Sequence, residues 1–394
     1  MHIFWWLLGA ALAVVWVDRL QDAARGMRHV ADITRPEWDS HPEPMPRLSI
    51  IVPACDEQEH VAAALASFAA QDYDNLEIIA VDDRSRDATG EIMDRAAREA
   101  IAVRPGLRFE VLHVRELPAG WLGKTHAMWL AGQRATGDWI LFTDADVKMR
   151  PDALRRAIVY AEAEKAHHLV LFPTHALKTV GECMVIAGFQ MQFVFGHRPW
   201  KVSDPKAQDT MGLGSFNLVR RSVYESIGTF RALRLEVVDD IQLGELVKTR
   251  GFSQRTVVGR GLLDLRWGAG GLGIVRNLTK NLFAALHYKW PRAVGACLML
   301  IILNVVPFLG LWLAPGWSKA GFAAAVGALA ALYAGMYRTS RISPAYVLLH
   351  PLNSLIIAGT LLLSMAATLW RGGVVWRGTK YELEELRGRP RSSK

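Results

Sequence analysis

Cysteine is scarce in this chain, with three residues (Cys55, Cys183 and Cys297) and no CxxC spacing. That excludes a disulfide framework and a zinc knuckle, and it points to a reducing compartment. Charge is thin as well, at 21% of 394 residues. Intrinsic disorder and nucleic-acid coating are poor readings of such a chain, and no nucleic-acid partner is expected. No GxGxxG and no Walker lysine follows an apolar strand, which removes dinucleotide and P-loop sites. His167 and His168 adjoin, but no HExxH or cysteine partner stands near, so no zinc site is expected. The chain is instead rich in apolar side chains, 51% of the total, with 46 Lys+Arg against 38 Asp+Glu. This mixture reads as membrane-associated and cytosol-facing.

The apolar residues gather at the two ends. From His2 to Val17 there are sixteen residues without a charge, bounded by Asp18 and Arg19. A full span needs ~20 residues, so residues 1–20 are expected to form either a short transmembrane helix or an interfacial one. No basic stretch precedes the run and no small-x-small site comes after it, which disfavours a cleaved signal peptide. Arg19, Arg25 and Arg28 place the chain beyond the run in the cytoplasm by the positive-inside rule. Residues 293–318 and 320–337 are uncharged apart from their borders and read as two spans. A third segment, 342–370, is expected to bend at Pro351, so that 293–370 forms a transmembrane region of two to three spans. From Arg371 onward, seven Lys/Arg against three Glu read as a basic cytoplasmic tail (371–394). Here the counting conflicts: an N-terminal span plus three later ones leaves the tail outside. Either 342–370 is re-entrant or the first run does not cross.

Residues 45–270 have the texture of an α/β domain. RLSIIVPA, LEIIAVDD, FEVLHV and DWILFTDAD are short apolar runs, several ending in acids, and alanine-rich helical stretches lie between them. Strands alternating with helices imply a mostly parallel, Rossmann-like sheet whose ligand crevice lies at the carboxyl ends of the strands. The acids fall there: Asp56 and Glu57, Asp82 and Asp83, Asp144 and Asp146. Such a crevice wants a cation. In Asp144-Ala145-Asp146 one carboxylate can meet a metal while the other faces a sugar hydroxyl. Hard oxygen ligands favour Mg²⁺ or Mn²⁺ carrying a diphosphate.

IIVPACDEQEHV, AVDDRSRDATG, WLGKTHAMWLAGQRATGDWILFTDADV and VVDDIQLGELVKTRGF, in that order, resemble family 2 glycosyltransferases of the GT-A fold. Within that family they are most similar to the membrane-bound group that glycosylates lipids, which includes ceramide glucosyltransferase, hopanoid-associated transferases and carotenoid (diaponeurosporenoate) glycosyltransferases. The resemblance covers roughly residues 47–290, and RGGVVWRGTKY is similar to the tail of these proteins. It implies an inverting, metal-dependent hexosyltransferase that moves one sugar from a UDP-sugar donor to a membrane lipid acceptor. It also implies a multi-pass protein of the cell (inner or plasma) membrane, with its catalytic domain in the cytoplasm. Transfer to a polyprenyl phosphate and a non-catalytic nucleotide-binding scaffold are the alternatives.

Carried over by position, the resemblance assigns Pro53, Ala54 and Glu57 to the nucleotide loop. Asp82 and Asp83 would hold the uracil and ribose, and Lys124 would face the diphosphate. Asp144 and Asp146 would bind the metal and the donor. The acceptor's base is implied to be Asp240 of the Asp239-Asp240 pair, where Asp239 replaces the family's glutamate. Leu263-Asp264-Leu265-Arg266-Trp267 keeps the RW of the QxxRW motif but lacks its glutamine, which points to transfer of a single sugar. Arg266 and Trp267 are expected at the donor. The glycine-rich GLGSFNLVRR suggests close backbone approach to the sugar or acceptor, with Gly214, Asn217 and Arg220 as candidates.

Two apolar stretches concern the acceptor. Residues 181–200 are too apolar for an exposed loop and too interrupted for a span. Residues 271–292 set Ile274, Leu278, Leu282 and Leu286 on one helical face, with Lys280 among the basic groups beside them. Such a basic amphipathic helix lies in the headgroup layer, or else packs onto the sheet domain.

Overall fold

The computed structural model describes residues 2–388. The chain enters through α1 (His2–Gly26), after which the two-residue β1 (Ala31–Asp32) joins the sheet edge. Beyond it come β2 (Leu48–Ala54), α2 (Val61–Ala69), β3 (Leu76–Asp83), α3 (Thr89–Val103), β4 (Arg108–Val114), α4 (Gly123–Gly132) and β5 (Trp139–Phe142). Next are β6 (Val147–Met149), α5 (Ala153–Ala163), β7 (His168–Phe172), β8 (Thr174–His175) and α6 (Val180–His197). The domain closes with β9 (Asn217–Arg220), α7 (Arg221–Ser226), α8 (Thr229–Ala232), α9 (Asp239–Thr249), β10 (Gln254–Val258), β11 (Leu263–Leu265) and α10 (Gly270–Ala285).

Eight strands form one sheet in the order β1-β10-β7-β9-β5-β2-β3-β4. It is parallel except for β9, which runs antiparallel to both β5 and β7. The apolar runs of β2 and β3 are buried on both faces, as helix-covered parallel strands require. Strand alternation sends Ile50, Val52 and Ile78 into one core and Ile51, Ile79 and Val81 into the other. At the amino ends of these strands the buried Glu77 accepts hydrogen bonds from Ser49 Oγ (2.5 Å) and Thr136 N (2.6 Å), and pairs with Arg47 and Arg108. Burial opposes its charge, but these donors outweigh burial and hold its carboxyl below the usual range. The far end of the sheet is thereby pinned, which leaves the carboxyl ends to carry the crevice.

The apolar termini depart from expectation in three ways. The sixteen-residue run continues through Asp18 and Arg19 as one 25-residue helix, α1, about 37 Å long at 1.5 Å per residue and sufficient to span a bilayer. Residues 293–318 are not one straight helix. They form α11 (Trp290–Asn304) and α12 (Val306–Leu313), bent by 43° at the break. Pro307 lies in the first turn of α12 and has no amide to give the preceding turn. Pro351 bends nothing, because it sits in the first turn of α14 (His350–Arg371), where a missing amide costs little. The break falls earlier, in the 3₁₀ turn Pro344–Leu349.

The remaining long helix, α13 (Lys319–Ser340), lies beside α1 with their amino ends together, Trp5 meeting Phe322 edge-on at 6.0 Å. At its other end, Arg260 of the sheet domain donates to Arg338 O (3.4 Å). The chain after α14 also returns to the sheet domain, as the hairpin β12 (Gly373–Trp376) and β13 (Thr379–Glu382), succeeded by α15 (Leu383–Arg387). Residues 371–388 are therefore a folded element on the sheet domain rather than a basic tail; residues 389–394 lie outside the described ones. By length and composition His2–His29, Gly316–Ser340 and Pro344–Arg371 can each cross a membrane, and the bent pair α11–α12 can supply a fourth span.

Candidate active site

Parallel strands open their carboxyl ends toward a hollow of about 1990 Å³. Pro53 and Ala54 at the end of β2, Glu57 beyond it, Asp83 at the end of β3, and Asp144 and Asp146 after β5 all border it. From the other side the amino end of α4 brings Lys124 and that of α9 brings Asp239 and Asp240. The hollow continues from these acids past Phe189 and Trp267 to the inner ends of α1 and α13, where Ala23, Met27, Leu332 and Met336 form its wall.

Lys124 lies between two acids, with Nζ 2.8 Å from Asp144 Oδ1 and 3.5 Å from Asp239 Oδ2. Burial disfavours its charge, but these carboxylates outweigh burial and raise its affinity for the proton. Burial likewise works against Asp144, and Lys124 overcomes it and holds that carboxyl low. Asp239 is pushed up to about 7 by burial and by Asp240 and Asp144, with Lys124 opposing. Asp240 is also raised, first by burial. Its Oδ2 accepts from Gly214 N (2.8 Å) and its Oδ1 from Ile241 N (2.9 Å), so its orientation is fixed by two backbone amides. A Cβ at Gly214 would lie 2.4 Å from Asp144 Oδ2, so a side chain there would displace the Asp144 carboxylate.

Asp146 is pushed up to about 7 by burial and by Asp144 and Glu57. Its Oδ1 is buried without a hydrogen-bond partner among the described residues, a position that costs free energy unless something positive meets it. No three His, Cys, Asp or Glu side chains among the described residues converge as a ready-made metal site. The set fits Mg²⁺ or Mn²⁺ in the way such ions are commonly held, by one or two carboxylates with substrate oxygens completing the shell.

Several expected residues lie elsewhere or face other partners. Adjacent strand residues point to opposite faces, so Asp83 faces the hollow while Asp82 turns away to His113 Nδ1 (3.1 Å) and Ser85 N (3.3 Å). Asp83 itself is gripped by Arg84 through two contacts, 2.8 and 3.0 Å. Lys124, expected at a diphosphate, is held by acids. Asn217 is buried beneath the hollow, donating to Asp240 O (3.2 Å) and bonded to His168. Arg220 is at the wrong end altogether. Antiparallel β9 carries it to the amino end of β5, where it stacks on Trp139 and pairs with Glu162 (2.7 Å).

Arg266 and Trp267 border the hollow, but the Arg266 guanidinium pairs with buried Glu182 (2.9 Å). Glu182 also accepts from Lys178 N and Gly270 N, which ties the start of α6 to the start of α10. Trp267 packs edge-on against Phe189 at 4.7 Å. Lys280 on α10 borders the acids and lies 4.9 Å from the Trp376 ring. Its helix packs on α6 and α14, with Ile274 and Leu278 buried among them. Trp376, Arg377 and Tyr381 of the C-terminal hairpin also border the hollow, and none of the three is expected there from the sequence. The available signal is the RG pair between VVW and TKY, a two-residue hairpin turn.

Residues 49–228 match the model of the glycosyl transferase family 2. A 4,4'-diaponeurosporenoate glycosyltransferase of Staphylococcus haemolyticus is 23% identical over 269 residues, 67% of this chain and 68% of that protein. A GalNAc(5)-diNAcBac-PP-undecaprenol β-1,3-glucosyltransferase of Campylobacter jejuni is 28% identical over 123 residues, 31% of this chain and 37% of that protein. Among solved structures, a mannosyltransferase of Pyrobaculum calidifontis, in complex with GDP-Man and Mn²⁺, superimposes with a TM-score of 0.51 at 19% identity. That likeness covers 93% of this chain and 99% of the other, and it shows a shared GT-A fold.

Proposed function

Because this chain carries a family 2 glycosyl transferase domain and is a glycosyltransferase, we propose that it transfers a single hexose, with inversion, from a UDP-sugar to a membrane lipid. The observation that carries the proposal is the continuity of the hollow, from the acid cluster to the apolar wall of α1 and α13. A lipid tail lying along that wall would put its polar end beside Asp240.

In this reading the acceptor oxygen attacks the anomeric carbon as the bond from that carbon to the diphosphate breaks, and the acceptor's proton passes to Asp240. One displacement inverts the centre. Burial moves the Asp240 carboxyl toward neutrality, which suits a base. Asp239 holds Lys124, and Lys124 in turn steadies Asp144. Pro53, Ala54, Glu57 and Asp83 border the nucleoside end, where a carboxylate can accept the imide N–H of uracil. Asp146, with Asp144 beside it, would hold Mg²⁺ or Mn²⁺, whose chemistry when bound is to neutralise charge on the diphosphate.

A membrane topology comes out of the same reading. Helix α1, the bent pair α11–α12 and α13 each cross, while the segment from Arg341 to Arg371 dips and returns, since both its ends lie on the sheet domain. The sheet domain and the C-terminal hairpin then share the cytoplasmic side, with Arg338 and Arg341 beside them.

One feature favours a second acceptor, a polyprenyl phosphate. The Arg19 guanidinium borders the hollow, stacked on Phe195 and 3.8 Å from Asp22, with Nε and Nη1 buried and without hydrogen-bond partners among the described residues, and an anion could supply those hydrogen bonds. The test is mass spectrometry of lipids after the purified protein meets a panel of UDP-sugars and a membrane extract. A lipid gaining one hexose supports the proposal, and no sugar on any lipid with any donor refutes it. Normal turnover by Asp240→Asn would favour the anionic acceptor, which needs no base.

A further inference from the structure

The C-terminal hairpin lies more than three hundred residues from the nucleotide loop in sequence yet touches it and its neighbours at several points. Arg377 pairs with Glu57 through Nη2 and approaches Asp56 O through Nη1 (3.5 Å). Arg84 donates to Thr379 Oγ1 (3.2 Å), and Gly123 N at the start of α4 donates to Tyr381 Oη (3.2 Å). The base of the hairpin is anchored separately, by Leu383 N to Gly372 O (2.8 Å) and by Arg387 to Tyr288 O (2.9 Å). Its turn is only Arg377-Gly378, both with positive φ (49° and 75°), as a type I′ hairpin requires. A turn this short leaves the tip little freedom and holds Arg377 over the hollow.

We propose that this hairpin completes the donor site, with Arg377 and Lys280 gripping the diphosphate of the nucleotide sugar. The inference rests on the donor reading above and adds residues to it. Lys124, the cation nearest the acids, is shared between Asp144 and Asp239, so its charge is already balanced there. Lys280 forms no ion pair among the described residues, and its ammonium is held at the Trp376 face. Lys280 sits on the ring of Trp376, the neighbour of Arg377 in the chain, and both cations border the hollow with Asp144, which places them around the same corner of it. A diphosphate there presents oxygens in the geometry a guanidinium fork accepts, and competes with Glu57 for Arg377.

The test uses the full chain in detergent or nanodiscs, with UDP and uridine competing against a fluorescent nucleotide. Uridine keeps the base and ribose and lacks the phosphates, so the ratio of the two affinities isolates the diphosphate. Arg377→Ala and Lys280→Met should each lower UDP affinity about tenfold or more while uridine affinity stays within about twofold. Arg377→Lys should recover part of the loss. An unchanged ratio of UDP to uridine affinity in both variants, including an equal loss of both ligands, overturns the hairpin's role and leaves the donor reading standing. A wild-type chain that prefers neither UDP nor GDP over the bare nucleoside overturns both.

Discussion

Replacing Arg266 by alanine separates two roles that the RW pair can have, and the structure sets the size of the effect. The Glu182 side chain is 1% exposed and takes three donors: Lys178 N (2.6 Å), Gly270 N (2.7 Å) and Arg266 Nη2 (2.9 Å). Burial works against this carboxylate, but the donors outweigh it and hold it at about 2 rather than 4.5. Breaking a fully buried pair costs about 3–5 kcal/mol. Arg266 is 37% exposed and the two amides remain, so about 2 kcal/mol is the expected loss, the range of one hydrogen bond to a charged group. For a domain of this size that lowers the thermal midpoint by about 4–8 °C, measured on the solubilised chain by intrinsic tryptophan fluorescence. The sign with pH is set by a depressed folded value. The stabilisation is complete above about 4.5 and is lost as pH falls from there toward 2, so the variant and the parent converge in acid. Affinity for UDP should change little. An unaltered midpoint together with a tenfold weaker UDP complex would refute this reasoning and return Arg266 to the diphosphate.

Asp240→Asn should lower kcat about 10²–10⁴-fold, with UDP affinity nearly unchanged, in a coupled assay of UDP release; a normal rate removes Asp240 as the base. Asp146→Ala should abolish the Mn²⁺ dependence of UDP binding in calorimetry, and an affinity that still responds to Mn²⁺ sinks the assignment. Asp83→Asn and Asp82→Asn should differ despite adjacency. The first weakens UDP binding, while the second spares it and loosens the contact with His113, so equal effects on UDP would contradict the opposed orientations.

The sheet and most of its acids were legible because parallel strands covered on both faces write themselves as uninterrupted apolar runs, and the acids mark where those runs end. The same alternation sets a limit on legibility. Two consecutive aspartates at the end of β3 look equivalent in a string, yet a strand has two faces, and only the neighbouring helices decide which carboxylate meets the hollow. Arg220 failed for a related reason. An antiparallel strand inserted into a parallel sheet has no local signature, so its far end was read as its near one. Glu182 could not be assigned at all, since its partners are an arginine 84 residues away and the amides of two helix starts. The hairpin was hidden by its composition, because a count of basic residues describes a tail equally well whether it is loose or folded onto a site.

The acid cluster itself explains why the distant elements converge where they do. Asp146 and Asp239 are both driven to about 7 by burial and by neighbouring carboxylates, so folding concentrates more negative charge at the strand ends than the hollow holds comfortably. One lysine cannot balance it: Lys124 serves Asp144 and Asp239 and leaves Asp146 Oδ1 unpartnered among the described residues. An anionic donor entering alone would make matters worse, which is why a nucleotide sugar suits this hollow only in the company of positive charge. Lys280 comes from α10 and Arg377 from the C-terminal hairpin. Both reach the cluster because α10 and α14 pack on one another beneath it. Helices α10 and α14 thus deliver the cations, while α1 and α13 would seat the lipid along the same hollow.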